Sequence, residues 1–206
     1  MFDGTLAPMR YQTHFTSEVT AGLNNEFAVG VMLLTAVRAD QSLEYAGWRV
    51  LPHFYAPESW GLPLRLGLVT EFSFQNTAYE PNSRRVEVRP ILDKHFGRLE
   101  LTGNPVFERA LRGPGVKDGW IFEPAGRAGF KLCEAITPSL EYYSSWGPLH
   151  ALPALREQIH QIYPGADLHI GERLTLNIGV GLGLVGAESR LVLKSRLEYS
   201  FGKKHD

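Results

Sequence analysis

Arg49, Arg65, Glu71, Glu87, Arg89, Arg98, Glu100, Glu123, Arg127, Glu141, Arg196 and Glu198 occupy one parity of a two-residue alternation. The large apolar side chains occupy the other. Arg10, Glu18, Arg38, Arg85, Glu108, Lys131, Asp167 and Lys194 fall on the charged parity as well. Residues two apart on a strand share a face, so this spacing gathers both signs of charge on one side of a sheet. Two kinds of chemistry follow. Charged side chains ringing an interior can line a polar path for small solutes, or Arg and Glu on neighbouring strands can pair and close that interior. With the signs nearly balanced, a path of this kind discriminates little between cations and anions.

Other chemistries find less support. His14 and Glu18 share a face, as do Asp167 and His169, but the histidines are dispersed along the chain and have no cysteine partner. A metal site needs its ligands gathered at one place, so no metal and no cofactor is expected. A hydrolase needs a nucleophile within hydrogen-bond reach of a base. Ser144 and Ser195 lie on the apolar parity without a histidine two or four residues away, and His150 and His160 are placed in or beside a long connection. The expectation is that the protein is not an enzyme.

The elements that must position these charges are strands. From Leu174 to Leu184, the residues Leu174, Leu176, Ile178, Val180, Leu182 and Leu184 share one face, while Thr175, Asn177, Gly179, Gly181 and Gly183 share the other. The pattern recurs about eleven times. It predicts strands at 10–22, 26–38, 43–56, 62–75, 84–93, 98–110, 120–132, 136–146, 160–170, 173–184 and 189–201 within a single domain, 1–206. Most meet the roughly 9–11 residues that a tilted transmembrane strand needs. A soluble sandwich would turn its polar face to bulk water, whereas a barrel encloses it. The crowding of glycine with Arg and Glu suits an enclosed face.

Connection lengths alternate as they do in membrane barrels, where short turns lie on one side and longer loops on the other. The turns at 24–25, 94–97, 133–135 and 171–173 are short. The connections at 76–83, 111–119 and 147–159 are long, and Pro148 and Pro153 confine any helix in the last to its later half. That segment is a natural lid or plug. With 57–61 long and 185–189 short, two connections depart from the rule. If the last strand ends on the short-turn side, strand 10–22 runs inward. Single-chain bacterial barrels have even strand numbers, so the expectation is a barrel of about 12 strands whose first strand and signal peptide precede Met1.

Tyr11, Trp48, Phe72, Phe74, Phe107, Trp120, Phe122, Tyr142 and Trp146 gather on the apolar parity toward the long-loop end. Phe27, Phe54, Phe130, Tyr199 and Phe201 gather toward the other. Two such bands suit the boundaries between lipid tails and head groups. Against this reading stand Pro52, Pro90, Pro105, Pro124, Pro138 and Pro164, which all fall inside proposed strands and each remove a ladder donor.

Bulk properties agree with a barrel. The 206 residues carry a net charge of -1, so nothing supplies the concentrated positive patch that nucleic acid requires. Mean hydropathy of -0.15 is what two averaged strand faces give. The single cysteine, Cys133, leaves no internal disulfide to form.

The last strand carries Leu197, Tyr199 and Phe201 at alternate positions near the C-terminus. It resembles the assembly signal of Gram-negative outer-membrane barrels, with Arg196 where that signal usually has glycine and with Gly202 to Asp206 following the aromatic. The repeated strands are similar to outer-membrane transporters grouped with phenol-degradation pathway proteins. The resemblance implies an all-β, antiparallel, up-and-down transmembrane barrel in the outer membrane of a Gram-negative bacterium. Its partners would be outer-membrane lipid, small solutes and the barrel assembly machinery. A non-conducting structural or adhesion barrel, and a soluble sandwich or lipocalin-like binder, are the competing expectations.

Overall fold

The computed structural model describes residues 13–37, 42–187 and 190–201. Arg10, Tyr11, Arg38 and the tail beyond Phe201 lie outside them.

The chain is an antiparallel meander. Its strands are β1 (Thr13–Gly22), β2 (Phe27–Val37), β3 (Leu43–Tyr55), β4 (Arg65–Gln75), β5 (Arg84–Phe96), β6 (Leu99–Asn104) and β7 (Phe107–Arg112). They continue with β8 (Trp120–Phe122), β9 (Ala125–Phe130), β10 (Ile136–Ser145), β11 (Gly147–Pro148), β12 (Ile159–Ile170), β13 (Leu174–Val185) and β14 (Leu191–Tyr199). All 14 strands among the described residues belong to one sheet, ordered β1-β2-β3-β4-β5-β6-β9-β10-β12-β13-β14, with β7, β8 and β11 forming a side branch. No pairing among the described residues joins β1 to β14. Among the described residues, helix is confined to three short 3-10 turns at Glu58–Trp60, Pro114–Asp118 and Leu155–Glu157. None is long and apolar enough to cross a membrane.

Eleven strand paths run through these 14 segments because three of the paths are interrupted, one of them at Trp146 between β10 and β11. The predicted strand 98–110 is β6 plus β7, broken at Pro105, and 120–132 is β8 plus β9, broken at Pro124. Pro52, Pro90, Pro138 and Pro164 stay inside unbroken strands, where each still has a cross-strand partner: Val29, Leu68, Ala166 and Leu140.

The hairpins explain themselves locally. Between β1 and β2 the Asn24 side-chain oxygen accepts from the backbone N–H of Glu26 (2.9 Å) and of Phe27 (2.8 Å), the Asx-turn chemistry that makes asparagine a turn former. The β2–β3 register shifts at Leu34/Thr35, opposite Gly47, whose φ of 154° and whose 2.5 Å from a notional Cβ to the Phe74 carbonyl oxygen admit no side chain. The extra residue puts Ala46 and Gly47 together on the buried side, with Tyr45 and Trp48 both exposed.

Burial follows the parity. Arg49, Glu71, Arg89, Glu141 and Asn177 are buried, while Val31, Leu33, Trp48, Phe72, Leu140 and Ile178 on the other face are exposed. The polar face is not uniformly polar, because Met32, Leu51 and Val69 form a small apolar cluster on it with Ile91. They belong to the strands that also carry Arg49 and Glu71.

Candidate functional site

The buried polar face of the sheet is the candidate site, and its charges form two groups. In the first, Arg49 Nε lies 3.3 Å from Glu71 Oε1 across β3 and β4. On β5, Arg89 NH2 lies 2.5 Å from Glu87 Oε1 on its own strand. Arg85 lies 2.9 Å from Glu108 on β7 and 3.9 Å from Glu80 in the preceding loop.

The second group is a network across β6, β9, β10, β12, β13 and β14. Arg127 pairs with Asp167 and, at 3.5 Å, with Glu100. Asn177 donates to Asp167 (2.6 Å) and to Glu141 (3.5 Å). Glu141 also accepts from Lys194 (2.5 Å) and from the Tyr143 hydroxyl (3.0 Å). Lys194 sits on β14, whereas Glu141 is on β10, with β12 and β13 between. Its reach is possible because the row it crosses is small: Lys194 is opposite Gly179, and Gly179 is opposite Gly165. The ammonium then rests 5.4 Å from the Tyr143 ring centroid and 6.0 Å from that of Tyr163, within cation–π range. Tyr163 in turn lies against Gly181, where a Cβ would collide with its ring. The glycines legible on the polar parity thus make room for side chains lying flat on the wall.

The remaining sequence candidates stand at margins. Arg65 begins β4, and although it pairs with Asp93 at 2.5 Å, its side chain is 70% exposed. Arg98 is exposed in the β5–β6 turn. Arg196 pairs with its own-strand neighbour Glu198 at 3.3 Å on β14, an edge of the sheet. Glu123 lies in the break between β8 and β9, where its backbone N–H donates to the Val106 carbonyl (2.9 Å). Among the described residues no group of three or more His, Cys, Asp and Glu side chains is placed to hold a metal ion.

One constellation was not found by reasoning along single strands. His160 lies inside β12, not in the loop, and is directly opposite Ser144 of β10. The signal that could have found it was cross-strand register, since the two are sixteen residues apart. Tyr142 Oη lies 2.7 Å from His160 Nδ1, and the Ser144 hydroxyl donates to the Pro124 carbonyl (2.8 Å). That hydroxyl is spent on satisfying a backbone acceptor beside a strand break, so the pair reads as structural.

No protein family and no curated protein matches the chain. Among solved structures, OmpF of Salmonella typhi in complex with daunomycin aligns with 93% of this chain and 79% of its own, at 10% identity and a TM-score of 0.44.

Proposed function

We propose that the protein is an outer-membrane β-barrel that passes small solutes along its polar face. The observation that carries this reading is an inside-out partition: ionised side chains are buried, and large apolar ones are exposed. Arg49, Glu71, Arg89 and Glu141 are each 5% exposed or less, while Val31 and Leu33 in the middle of β2 are 49% and 47% exposed. In water, such a continuous apolar surface forgoes about 25 cal/mol for every Å² and invites association. Lipid removes that cost.

The aromatic contacts support the same setting. Trp48 stacks on Phe74 at 4.5 Å, and Phe122 contacts Phe107 at 5.1 Å and Trp146 at 5.3 Å, all toward the long-loop ends. Phe27 and Phe54, 5.2 Å apart, lie toward the short-turn ends. Paired rings at two levels suit two lipid interfaces. Outer-membrane lipid and, through β14, the assembly machinery are the partners this reading implies.

The paired charges favour one alternative, a barrel shut by its own ion pairs. Single-channel recording in planar bilayers, with insertion verified independently, separates the two. Stepwise currents are expected. Arg127→Ala should enlarge them and tilt selectivity toward cations, because Asp167 and Glu100 keep their charges after their shared partner is gone. Silence from inserted protein, wild type and variant alike, would establish the closed barrel. Failure to insert would overturn the membrane setting altogether.

A further inference from the structure

Register places three prolines in one row. Ladder pairing of β5 runs to Val88↔Phe107 and resumes at Leu92↔Gly103. Three residues intervene on each strand, so the register carries through the break and sets Pro90 opposite Pro105. On the other side, pairing stops at Phe107↔Phe122 and resumes at Asn104↔Ala125. Two residues intervene on each strand, which sets Pro105 opposite Pro124.

What the row costs in hydrogen bonds depends on which pairs are bonded. Doubly bonded pairs alternate along an antiparallel ladder with unbonded ones, called wide here for the spacing of the bonds that flank them. The bonds from Glu123 N to Val106 O (2.9 Å) and from Lys131 N to Arg98 O (2.8 Å) mark the bonded pairs of one ladder, so Pro105/Pro124 is a wide pair. Pro105 therefore directs its backbone polar groups toward Pro90. The bond from Ala56 N to Leu66 O (2.9 Å), counted through β4, gives the same result independently: Leu68/Pro90 is wide, and Pro90 faces Pro105. Neither proline has an N–H. Both bonds of that pair are absent, and two carbonyls without a ladder donor face one another. Neighbouring bonded pairs lie roughly 13 Å apart along the strands instead of roughly 7 Å.

This gap is in the middle of the wall, since Pro90 is the central residue of β5 (Arg84–Phe96). Its two sides differ in chemistry. Toward the apolar face, Gly103 stands opposite Gly126, and a Cβ on Gly103 would meet nothing within 4 Å; Val88, Leu92, Phe107 and Phe122 rim this bare patch. Toward the polar face stands Asn104, 4% exposed, its side-chain oxygen buried without a hydrogen-bond partner. Inside a bilayer no lipid tail can satisfy such acceptors.

The geometry points to a lateral opening between β5 and β6–β7 through which a small amphiphile, an apolar chain headed by one hydroxyl or amine donor, crosses between the bilayer and the polar interior. The bare glycine patch seats the chain, and the carbonyls of Pro90 and Pro105 with the Asn104 oxygen accept from the head. This rests on the membrane reading above and gives it a substrate class and a route.

The test uses the full chain in phosphatidylcholine vesicles with 3-azioctanol, a photoreactive alcohol, as the probe. Adducts on the wild type are expected on the polar-face residues Asn104 and Glu123 as well as on lipid-facing positions. In the Pro90→Ala/Pro105→Ala variant, two restored ladder bonds of ordinary strength should lower labelling of Asn104 and Glu123 by about tenfold. Adducts confined to lipid-facing residues of inserted wild-type protein, or equal polar-face labelling in wild type and variant, would overturn the opening and leave the pore reading standing. Protein that does not enter the vesicles would overturn both.

Discussion

Removing Glu71 should destabilise the sheet far more than removing it together with Arg49. The pair is held side-on, with Arg49 Nε 3.3 Å and NH1 3.4 Å from the two carboxylate oxygens, and the side chains are only 6% and 4% exposed. Met32 stands opposite Arg49 on the adjoining strand, and Leu51 and Val69 share the face, so little water can replace a lost partner. Breaking a buried ion pair from one side typically costs about 3–5 kcal/mol. Glu71→Ala is expected to cost about 3 kcal/mol, the lower end of that range. The double variant Arg49→Met/Glu71→Leu places apolar groups beside an existing apolar cluster and leaves no charge stranded, so it should lie within about 1 kcal/mol of wild type. The assay is equilibrium urea unfolding in lipid vesicles followed by tryptophan fluorescence. Trp48 adjoins Arg49 in sequence, and equal slopes against urea are required before midpoints are compared. A Glu71→Ala loss below about 0.5 kcal/mol, or single-variant losses that simply add in the double variant, would refute the picture of a dry, mutually dependent pair.

Two further outcomes are checked by the same unfolding measurement. Val31→Lys, at mid-strand on the apolar face, should cost about 2–4 kcal/mol if that face meets lipid, against within about 0.5 kcal/mol if it meets water. Gly181→Ala should cost about 1–3 kcal/mol because its methyl group must displace the Tyr163 ring, whereas Gly103→Ala, with open space around it, should stay within about 0.5 kcal/mol.

Alternation alone was enough to read the eleven strand paths and the two faces, because a strand displays every second residue whatever its neighbours do. The same property sets the limit. Parity says that Arg127 and Asp167 share a face, yet they meet only because β10 separates β9 from β12 and their side chains reach over it. Pairing along one strand, as between Arg89 and Glu87, is close to legible. Pairing across three strands, as between Lys194 and Glu141, depends on glycines lying flat in a row, and a row is a property of the whole set of registers. Arg65, Arg98 and Glu198 have the right parity but stand at strand ends, in a turn or on an edge strand, where burial fails for reasons of length and position.

The prolines bring the two levels together. Read one at a time, Pro90, Pro105 and Pro124 are three objections to a continuous sheet, each removing a donor from its own ladder. Set in register, they share a row, and the alternation of bonded pairs makes their effects unequal. Pro105 costs nothing toward Pro124 because that pair is wide, and the Pro124 carbonyl on its far side is met by Ser144. The full loss of two bonds falls on Pro90 and Pro105 alone. A chain that merely tolerated prolines would scatter them over separate ladders, where each gap is one bond wide and its neighbours hold the strands together. Here the missing donors coincide at the middle of the wall, with bare glycine on the apolar side and an unsatisfied asparagine on the polar side, so local interruption becomes an opening with two chemically different mouths.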